Sequence, residues 1–381
     1  MDDLTRILDV TTTHDSLTGA VNTPIQLSDT FHQTDFDELG EFDYARSGNP
    51  TRQAAEQAVA DLEHAKYGYL FSSGMAAISS VLMTLSAGDH VIVTSHVYGG
   101  TYRLLEDVLS RFGITHTFVD CGDLKDVADA IQPNTRAIYI ETPSNPILAV
   151  TDIAGIVEIA KANDLVTIAD NTFMSPFLQR PLDLGVDIVV HSATKFLAGH
   201  SDILAGAAVT NDVHLAEQIY FVQNAVGATL GVLDSWLLLR GMKTLGVRMT
   251  QASASAQRLA EWLVTNPKVK GVYYPGLKTH FNHDVHQRQA KSGGAVLSFD
   301  VGSLENARQL VQHLTIPIYS VSLGGVESII SYPPKMSHAE LNETALAEAG
   351  ITPGLLRYSV GLESIDDIIN DLVEAFQHVG E

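Results

Sequence analysis

A single cysteine, Cys121, stands in a chain of 381 residues. One thiol makes no internal disulfide, and no neighbouring pattern offers it a base, so Cys121 reads as a packing residue rather than a nucleophile. Cations are also scarce, with 23 Lys and Arg against 45 Asp and Glu. The resulting formal charge of −22 argues against a nucleic-acid partner, because phosphate backbones are bound by Lys and Arg that displace counterions. No apolar run approaches the roughly 18 residues of a membrane span, and Met1-Asp2-Asp3-Leu4 lacks the basic and apolar regions of a signal peptide. A soluble, cytoplasmic protein with no membrane association is therefore expected. The glycine signatures G-x-G-x-x-G and G-x-x-x-x-G-K-[ST] are missing too, which removes the usual support for a dinucleotide or nucleoside-triphosphate site. Neither an internal repeat nor a low-complexity tract is present.

What is abundant is apolar sequence, 45% of the chain, enough for a substantial core. From Thr51 to about Arg240 short apolar runs alternate with helical patterns. Candidate strands are Gly68 to Phe71, His90 to Thr94, Thr115 to Val119, Ala137 to Glu141, Leu165 to Asp170, Val186 to His191 and Ala205 to Thr210. Helical periodicity falls between several of them, as at Ala76 to Leu85, Tyr102 to Phe112 and Ile153 to Ala162. Such alternation predicts βα units on a mostly parallel sheet, whose ligands bind beyond the carboxyl ends of the strands. Residues 1–47 hold several turn formers and few helical patterns, which reads as an extended arm. Beyond about residue 241 the pattern changes to a helix over Val247 to Val264, strand-like pieces such as Ala295 to Phe299, and a last helix near Asp366 to Val379. The expected organisation is an arm (1–47), a large α/β unit (48–240) and a smaller C-terminal α/β unit (241–381).

Chemistry concentrates at His191-Ser192-Ala193-Thr194-Lys195-Phe196-Leu197-Ala198-Gly199. A lysine just past a buried strand sits at the rim of a sheet. Ser192 and Thr194 precede it and Gly199 lets backbone come close, as a lysine forming a Schiff base beside a phosphate requires. Taken alone, the string fits a solvated surface lysine equally well. Upstream, the run Leu165 to Asp170 ends in a carboxylate, 195 − 170 = 25 positions before the lysine. Asp170 could cap the turn that follows, with Thr172 next to it; paired with Lys195 it can instead hold the ring nitrogen of pyridoxal phosphate protonated. Phe71-Ser72-Ser73-Gly74-Met75 joins a strand to a helix through small residues, so that free N–H groups of Gly74 and Met75 would face an anion.

On these motifs, which extend from Pro24-Ile25 to Arg357-Tyr358-Ser359-Val360-Gly361-Leu362-Glu363, the chain resembles the Cys/Met-metabolism family of pyridoxal-phosphate enzymes. The resemblance implies a fold-type-I transferase fold, with a seven-stranded, mostly parallel sheet covered by helices on both faces, and pyridoxal 5′-phosphate on Lys195. It further implies phosphate contacts from Gly74, Met75, Ser192 and Thr194, an Asp170 partner for the ring nitrogen with Thr172 beside it, Tyr98 stacked on the ring and active in proton transfer, and Asn145 on the phenolic oxygen. By the same resemblance Tyr44 and Arg46, in Y-x-R-x-x-x-P-T, reach the cofactor phosphate of a neighbouring subunit, and the assembly is a homotetramer. Arg357 and Ser322 correspond to the carboxylate-binding elements for an amino-acid substrate.

The string Val321-Ser322-Leu323-Gly324-Gly325-Val326-Glu327-Ser328 and the following Met336-Ser337-His338-Ala339 are most similar to bacterial cystathionine β-lyases, which implies cleavage of cystathionine to homocysteine, pyruvate and ammonia. Some γ-type relatives carry an acidic residue where Val321 stands; cystathionine γ-lyase, cystathionine γ-synthase and methionine γ-lyase remain the alternatives, and a non-catalytic cofactor-binding protein would be expected to lack Lys195 or Asp170. Two departures, Pro334-Lys335 and Tyr358, are expected near the substrate carboxylate. His280, His283 and His286 are spaced along what could be a helix face and imitate a metal site, but the polar surroundings read as a solvated surface stretch with no metal.

Overall fold

A computed structural model describes residues 1–12, 15–339 and 341–380. Seven strands, β1 (Tyr67–Phe71), β2 (His90–Thr94), β3 (Thr115–Val119), β4 (Thr135–Glu141), β5 (Val166–Asp170), β6 (Ile188–His191) and β7 (Gly206–Thr210), form one sheet in the order β1-β7-β6-β5-β4-β2-β3. The five strands from β6 to β3 pair in parallel, while β7 runs antiparallel to both β6 and β1. Successive side chains point to opposite faces, and here both faces are buried. Ile92, Ile138, Ile140, Ala169, Val189 and Val209 pack on one side, and Val91, Val93, Tyr139, Ile168, Ile188 and Val190 on the other. That two-sided burial is why the strands read as continuous apolar runs.

Helices complete the layers. Pro50–Leu62 sets Ala55, Ala58, Val59 and Leu62 on the first face, where Ile153–Ala162 adds Ile153, Ile156, Val157 and Ala160; Gly74–Leu82 covers the second face with Ala77, Ile78, Val81 and Leu82. The expected helix over Tyr102 to Phe112 is instead a succession of an α turn (Gly99–Arg103), a π turn (Leu104–Val108) and a 3₁₀ turn (Leu109–Phe112), stopped at Gly113 with φ +79°.

A second sheet holds β8 (Gly271–Tyr273), β9 (Val296–Asp300), β10 (Ile318–Tyr319), β11 (Ile329–Ser331) and β12 (Leu355–Ser359) in the order β10-β11-β12-β9-β8. Its core is filled by Leu310 of helix Leu304–His313 and by Ile368, Leu372, Ala375 and Phe376 of helix Ile365–Gln377. Helix Leu245–Thr265 joins the two cores: Leu245, Met249 and Ala252 belong to the first, Ala256, Leu259, Ala260 and Leu263 to the second. Among the described residues no helix is long and apolar enough to cross a membrane.

The N-terminal residues depart from the expected extended arm. Asp3–Thr11 is a helix, capped by the Asp2 side chain accepting from the Leu4 N–H, and it buries Ile7 and Thr11. Its Asp3 carboxylate receives Arg180 at 2.7 Å and pairs with Lys291. Farther along, Leu17, Val21, Leu27, Phe36 and Leu39 are exposed.

Candidate active site

Because β1, β2, β4, β5 and β6 point the same way, the segments that leave their carboxyl ends meet at one edge of the sheet. Gly74 follows β1, Tyr98 follows β2, Asn145 follows β4, Asp170 ends β5 and Lys195 follows β6. The parallel topology thus assembles residues spread over more than a hundred positions.

Lys195 Nζ donates to Ser322 Oγ at 2.6 Å. Burial, and secondarily the positive charge of Arg357, push the lysine pKa down to about 8. Ser322 has φ +82°, a left-handed backbone that is costly for a residue with a side chain. The turn is held by Arg357 Nη2 donating to Ser322 O at 2.7 Å and by Gly324 N–H donating to Ser359 Oγ at 2.9 Å. Gly324, at φ +81°, lies against the backbone of Lys195 and Phe196, where an added Cβ would sit 2.8 Å from Phe196 N. No other residue type admits that approach.

Asp170 Oδ1 accepts the Thr172 N–H at 2.9 Å, and Oδ2 accepts the Tyr139 hydroxyl at 3.3 Å. Burial raises its pKa, and the hydrogen bonds from Thr172 oppose the rise. Directly opposite in register on β4 stands Glu141. Its Oε2 accepts the Tyr98 N–H and its Oε1 the Asn145 N–H, both at 3.0 Å. Burial first and the Asp170 charge second raise Glu141 to about 8. Asn145 Oδ1 in turn accepts from Arg357 Nη1 at 2.8 Å. Arg357 is buried and lowered to about 10 by desolvation, and its Nε has no hydrogen-bond partner among the described residues. A buried guanidinium N–H without a partner is costly to keep, and it marks where an anionic group would fit.

The segment before Lys195 is equally constrained. Thr172 Oγ1 accepts the Ser192 N–H at 2.8 Å. An added Cβ on Gly74 would lie 2.8 Å from Ser192 Cβ, so the helix start and the Ser192 turn touch only because that position is glycine. The Thr194 hydroxyl exchanges two hydrogen bonds with the backbone of Ala205, accepting from N at 2.9 Å and donating to O at 3.1 Å. Gly100 likewise makes room for the Tyr98 ring and for Met75, whose Sδ would be 2.7 Å from an added Cβ.

Not every expected residue joins this group. Arg46 Nη1 donates to Asn224 O and Oδ1, both at 2.7 Å, at the end of helix Val213–Val226, and the Arg46 guanidinium lies 5.6 Å from the Tyr44 ring. Neither side chain contacts Lys195 or Asp170 in the same chain. Tyr358 is turned away as well: β12 alternates, so Arg357 faces the site while the Tyr358 ring is fully buried in the second core. Lys335 lines a different cavity of about 310 Å³, together with Tyr319, Tyr332 and Arg308. Neither departure adjoins Arg357 on the site side. The histidine stretch is not a solvated surface either. His286 is fully buried and bonded to Ser292 O at 2.8 Å, His280 bonds Leu148 O and His283 bonds Pro275 O at the same distance, and helix His283–Gln289 starts only after His280. Burial lowers His280, and lowers His286 to about 4, so His286 is a neutral strut.

Three residues that carry this geometry went unnoticed in the sequence. Glu141 ends an apolar strand in a carboxylate, the same signal that singles out Asp170. Arg248 stands on the buried stripe with Leu245, Met249 and Ala252 and donates to Phe196 O at 2.7 Å and Gly241 O at 2.9 Å, bracing the turn that follows Lys195. A cation at helical spacing among apolar neighbours is its visible sign. Arg52 donates to Ala45 O at 2.6 Å and Arg46 O at 3.1 Å, fixing the Tyr44–Arg46 segment.

Residues 4–377 match the family model described as Cys/Met metabolism PLP-dependent enzyme. A cystathionine β-lyase of Bacillus subtilis (strain 168) is 56% identical over 96% of this chain and 94% of its own length. A cystathionine γ-lyase of the same organism is 46% identical, over 96% and 97%. Among solved structures, cystathionine γ-lyase from Lactobacillus plantarum complexed with L-serine superposes with a TM-score of 0.97 at 44% identity, covering 100% of this chain and 99% of that one.

Proposed function

The chain belongs to the Cys/Met metabolism family of pyridoxal-phosphate-dependent enzymes and is a lyase of that family, and we propose that it cleaves cystathionine on the β side, releasing homocysteine, pyruvate and ammonia. Bound pyridoxal phosphate supplies an electron sink for the carbanion at the substrate Cα. The residues present fit that group. Asp170 offers a buried carboxylate to the ring nitrogen. Gly74 lets the helix start lie directly against Ser192, so that the N–H groups of Gly74 and Met75 and the Ser192 hydroxyl would meet the phosphate together, and Thr194 adds a hydroxyl. Tyr98 offers its ring face, Asn145 its amide to the phenolic oxygen, and Thr172 secures Asp170 to the Ser192 turn.

Lys195 is the base. With its pKa brought down to about 8, its amine is available in neutral form to take the Cα proton, and Ser322 fixes where Nζ points. Arg357 presents its buried guanidinium charge to the α-carboxylate, with an Nε–H that has no partner among the described residues. The Tyr98 hydroxyl delivers a proton to the departing thiolate. Water then hydrolyses the released enamine to pyruvate and ammonia. Tyr44 and Arg46 complete the site of a neighbouring subunit by binding its phosphate, in a homotetramer. In support, they lie away from Lys195 in their own chain, on a segment rich in exposed Leu and Phe. The proposed setting is the cytoplasm, where buried Cys121 stays a thiol.

The observation that carries β over γ cleavage is Val321. It is exposed beside the strained Ser322 turn and presents no carboxylate to the distal ammonium of cystathionine. Separating the keto acids formed from cystathionine tests the reading: pyruvate is expected, and a predominance of 2-oxobutyrate overturns it. Val321→Glu should move the ratio toward 2-oxobutyrate by about tenfold, since about 1.4 kcal/mol of differential stabilisation suffices and one ionic contact supplies it.

A further inference from the structure

We propose that Glu141 is a positioning residue that locks the Tyr98 ring and the Asn145–Arg357 pair to each other, so that proton delivery and carboxylate binding share one anchor. The proposal rests on the lyase reading above and adds to it a residue that touches neither cofactor nor substrate.

The geometry is that of a fork. One carboxylate accepts two backbone N–H groups from different segments, Tyr98 after β2 and Asn145 after β4, each at 3.0 Å. Asn145 then passes the constraint to Arg357 through its Oδ1 at 2.8 Å, and Arg357 carries it to the Ser322 turn that holds Lys195. Glu141 is 5% exposed, so water does not replace either bond. A carboxyl group has an acceptor oxygen on both tips, fully when ionised and through the hydroxyl oxygen's remaining lone pair when it carries a proton. In Glu141→Gln one tip becomes an NH₂ group facing an N–H, and flipping the amide merely exchanges which N–H is abandoned. In Glu141→Asp both acceptors survive on a shorter stem.

The first measurement needs no cofactor. Hydrogen exchange of the full-length apoprotein, read on peptides covering residues 95–102 and 142–149, should quicken about tenfold or more in Glu141→Gln, while peptides from the centres of β4 and β5 stay protected. The second uses cofactor-loaded enzyme, with rates taken per bound cofactor. Abandoning one buried N–H, at Tyr98 or at Asn145 as the amide flips, should lower kcat/KM for cystathionine about ten- to a hundredfold, with kcat falling and KM rising together because the two positions are coupled. By contrast Tyr98→Phe should act mainly on kcat and Arg357→Lys mainly on KM. Glu141→Asp should recover part of both. Glu141→Gln constants within about twofold of the unsubstituted enzyme overturn the proposal, as does a loss that disappears when rates are normalised to bound cofactor. If instead the unsubstituted enzyme binds cofactor yet does not cleave cystathionine, the lyase reading fails and the exchange measurement alone judges Glu141: quickened exchange upholds it and unchanged exchange overturns it.

Discussion

The amine of Lys195 is placed where both burial and the Arg357 guanidinium oppose its charge, and the consequence can be measured without substrate. Between about pH 8 and the ordinary lysine value of 10.5, the unfolded chain holds a proton on Lys195 that the folded apoprotein has released. Stability therefore rises with pH across that window as far as this group is concerned, and below pH 8 the full penalty is present. Lys195→Met should stabilise the apoprotein at pH 7 by about 2 kcal/mol, the roughly 3 kcal/mol that a fall from 10.5 to about 8 represents less about 1 for the lost Ser322 hydrogen bond. Urea unfolding at pH 7 and pH 10 checks this, and a gap that stays constant with pH contradicts it. The same variant, like Lys195→Ala, should have no measurable turnover. At this scale Lys195 and Asp170 were legible because each is a polar residue at the end of an apolar run. Glu141 gives the same signal, and the sequence alone does not tell which of two carboxylates at neighbouring strand ends faces the ring and which braces the loops. The placing of Tyr358 near the carboxylate ignored the two-residue period of a strand, which sends neighbours of Arg357 to the other face.

Elements were more legible than single residues where burial is two-sided. Strands β2, β4, β5 and β6 were visible as apolar runs rich in Val and Ile because both faces lie under helices, whereas the half-exposed edge strand β3 has Thr115, His116 and Thr117 instead. The short strands β10 and β11 were not, since two or three residues cannot display a period. Helix Asp3–Thr11 carried its pattern in Leu4, Ile7, Leu8 and Thr11, yet nine residues among acidic neighbours do not outweigh turn signals that follow. The join between β1 and helix Gly74–Leu82 is the element on which the site depends most directly. Gly74→Ala would thrust a methyl group to 2.8 Å from Ser192 Cβ and 2.9 Å from its Cα, and backbone on the receiving side cannot yield as a side-chain tip would. Overpacking of this kind costs about 1 to 3 kcal/mol. A lower melting temperature and about tenfold weaker cofactor binding in an absorbance titration are the expected outcome. Unchanged cofactor affinity would mean that the helix start and the Ser192 turn do not together form the phosphate cradle.

At the scale of the whole molecule, the segment carrying Tyr44 and Arg46 is anchored in its own chain by Arg52 and directed toward Asn224, away from Lys195. It continues from a stretch whose Leu27, Phe36 and Leu39 find no core. The proposed reading is that a chain so arranged completes its neighbour rather than itself, and subunit exchange can decide the matter. Arg46→Ala removes a charge-assisted contact worth about 1.5 to 3 kcal/mol, so cofactor affinity should fall about ten- to a hundredfold. At cofactor concentrations that leave this variant unloaded it is inactive, and Lys195→Ala is inactive at any concentration. Random reassortment of the two makes about half of the pairs mixed, and in each mixed pair one site receives Lys195 from one subunit and Arg46 from the other. About a quarter of all sites should then be active, with the companion site of each mixed pair lacking both residues. Were Arg46 instead to serve the Lys195 of its own chain, every site in the mixture would lack one of the two, and activity would stay at the level of the parent variants however completely the subunits exchange.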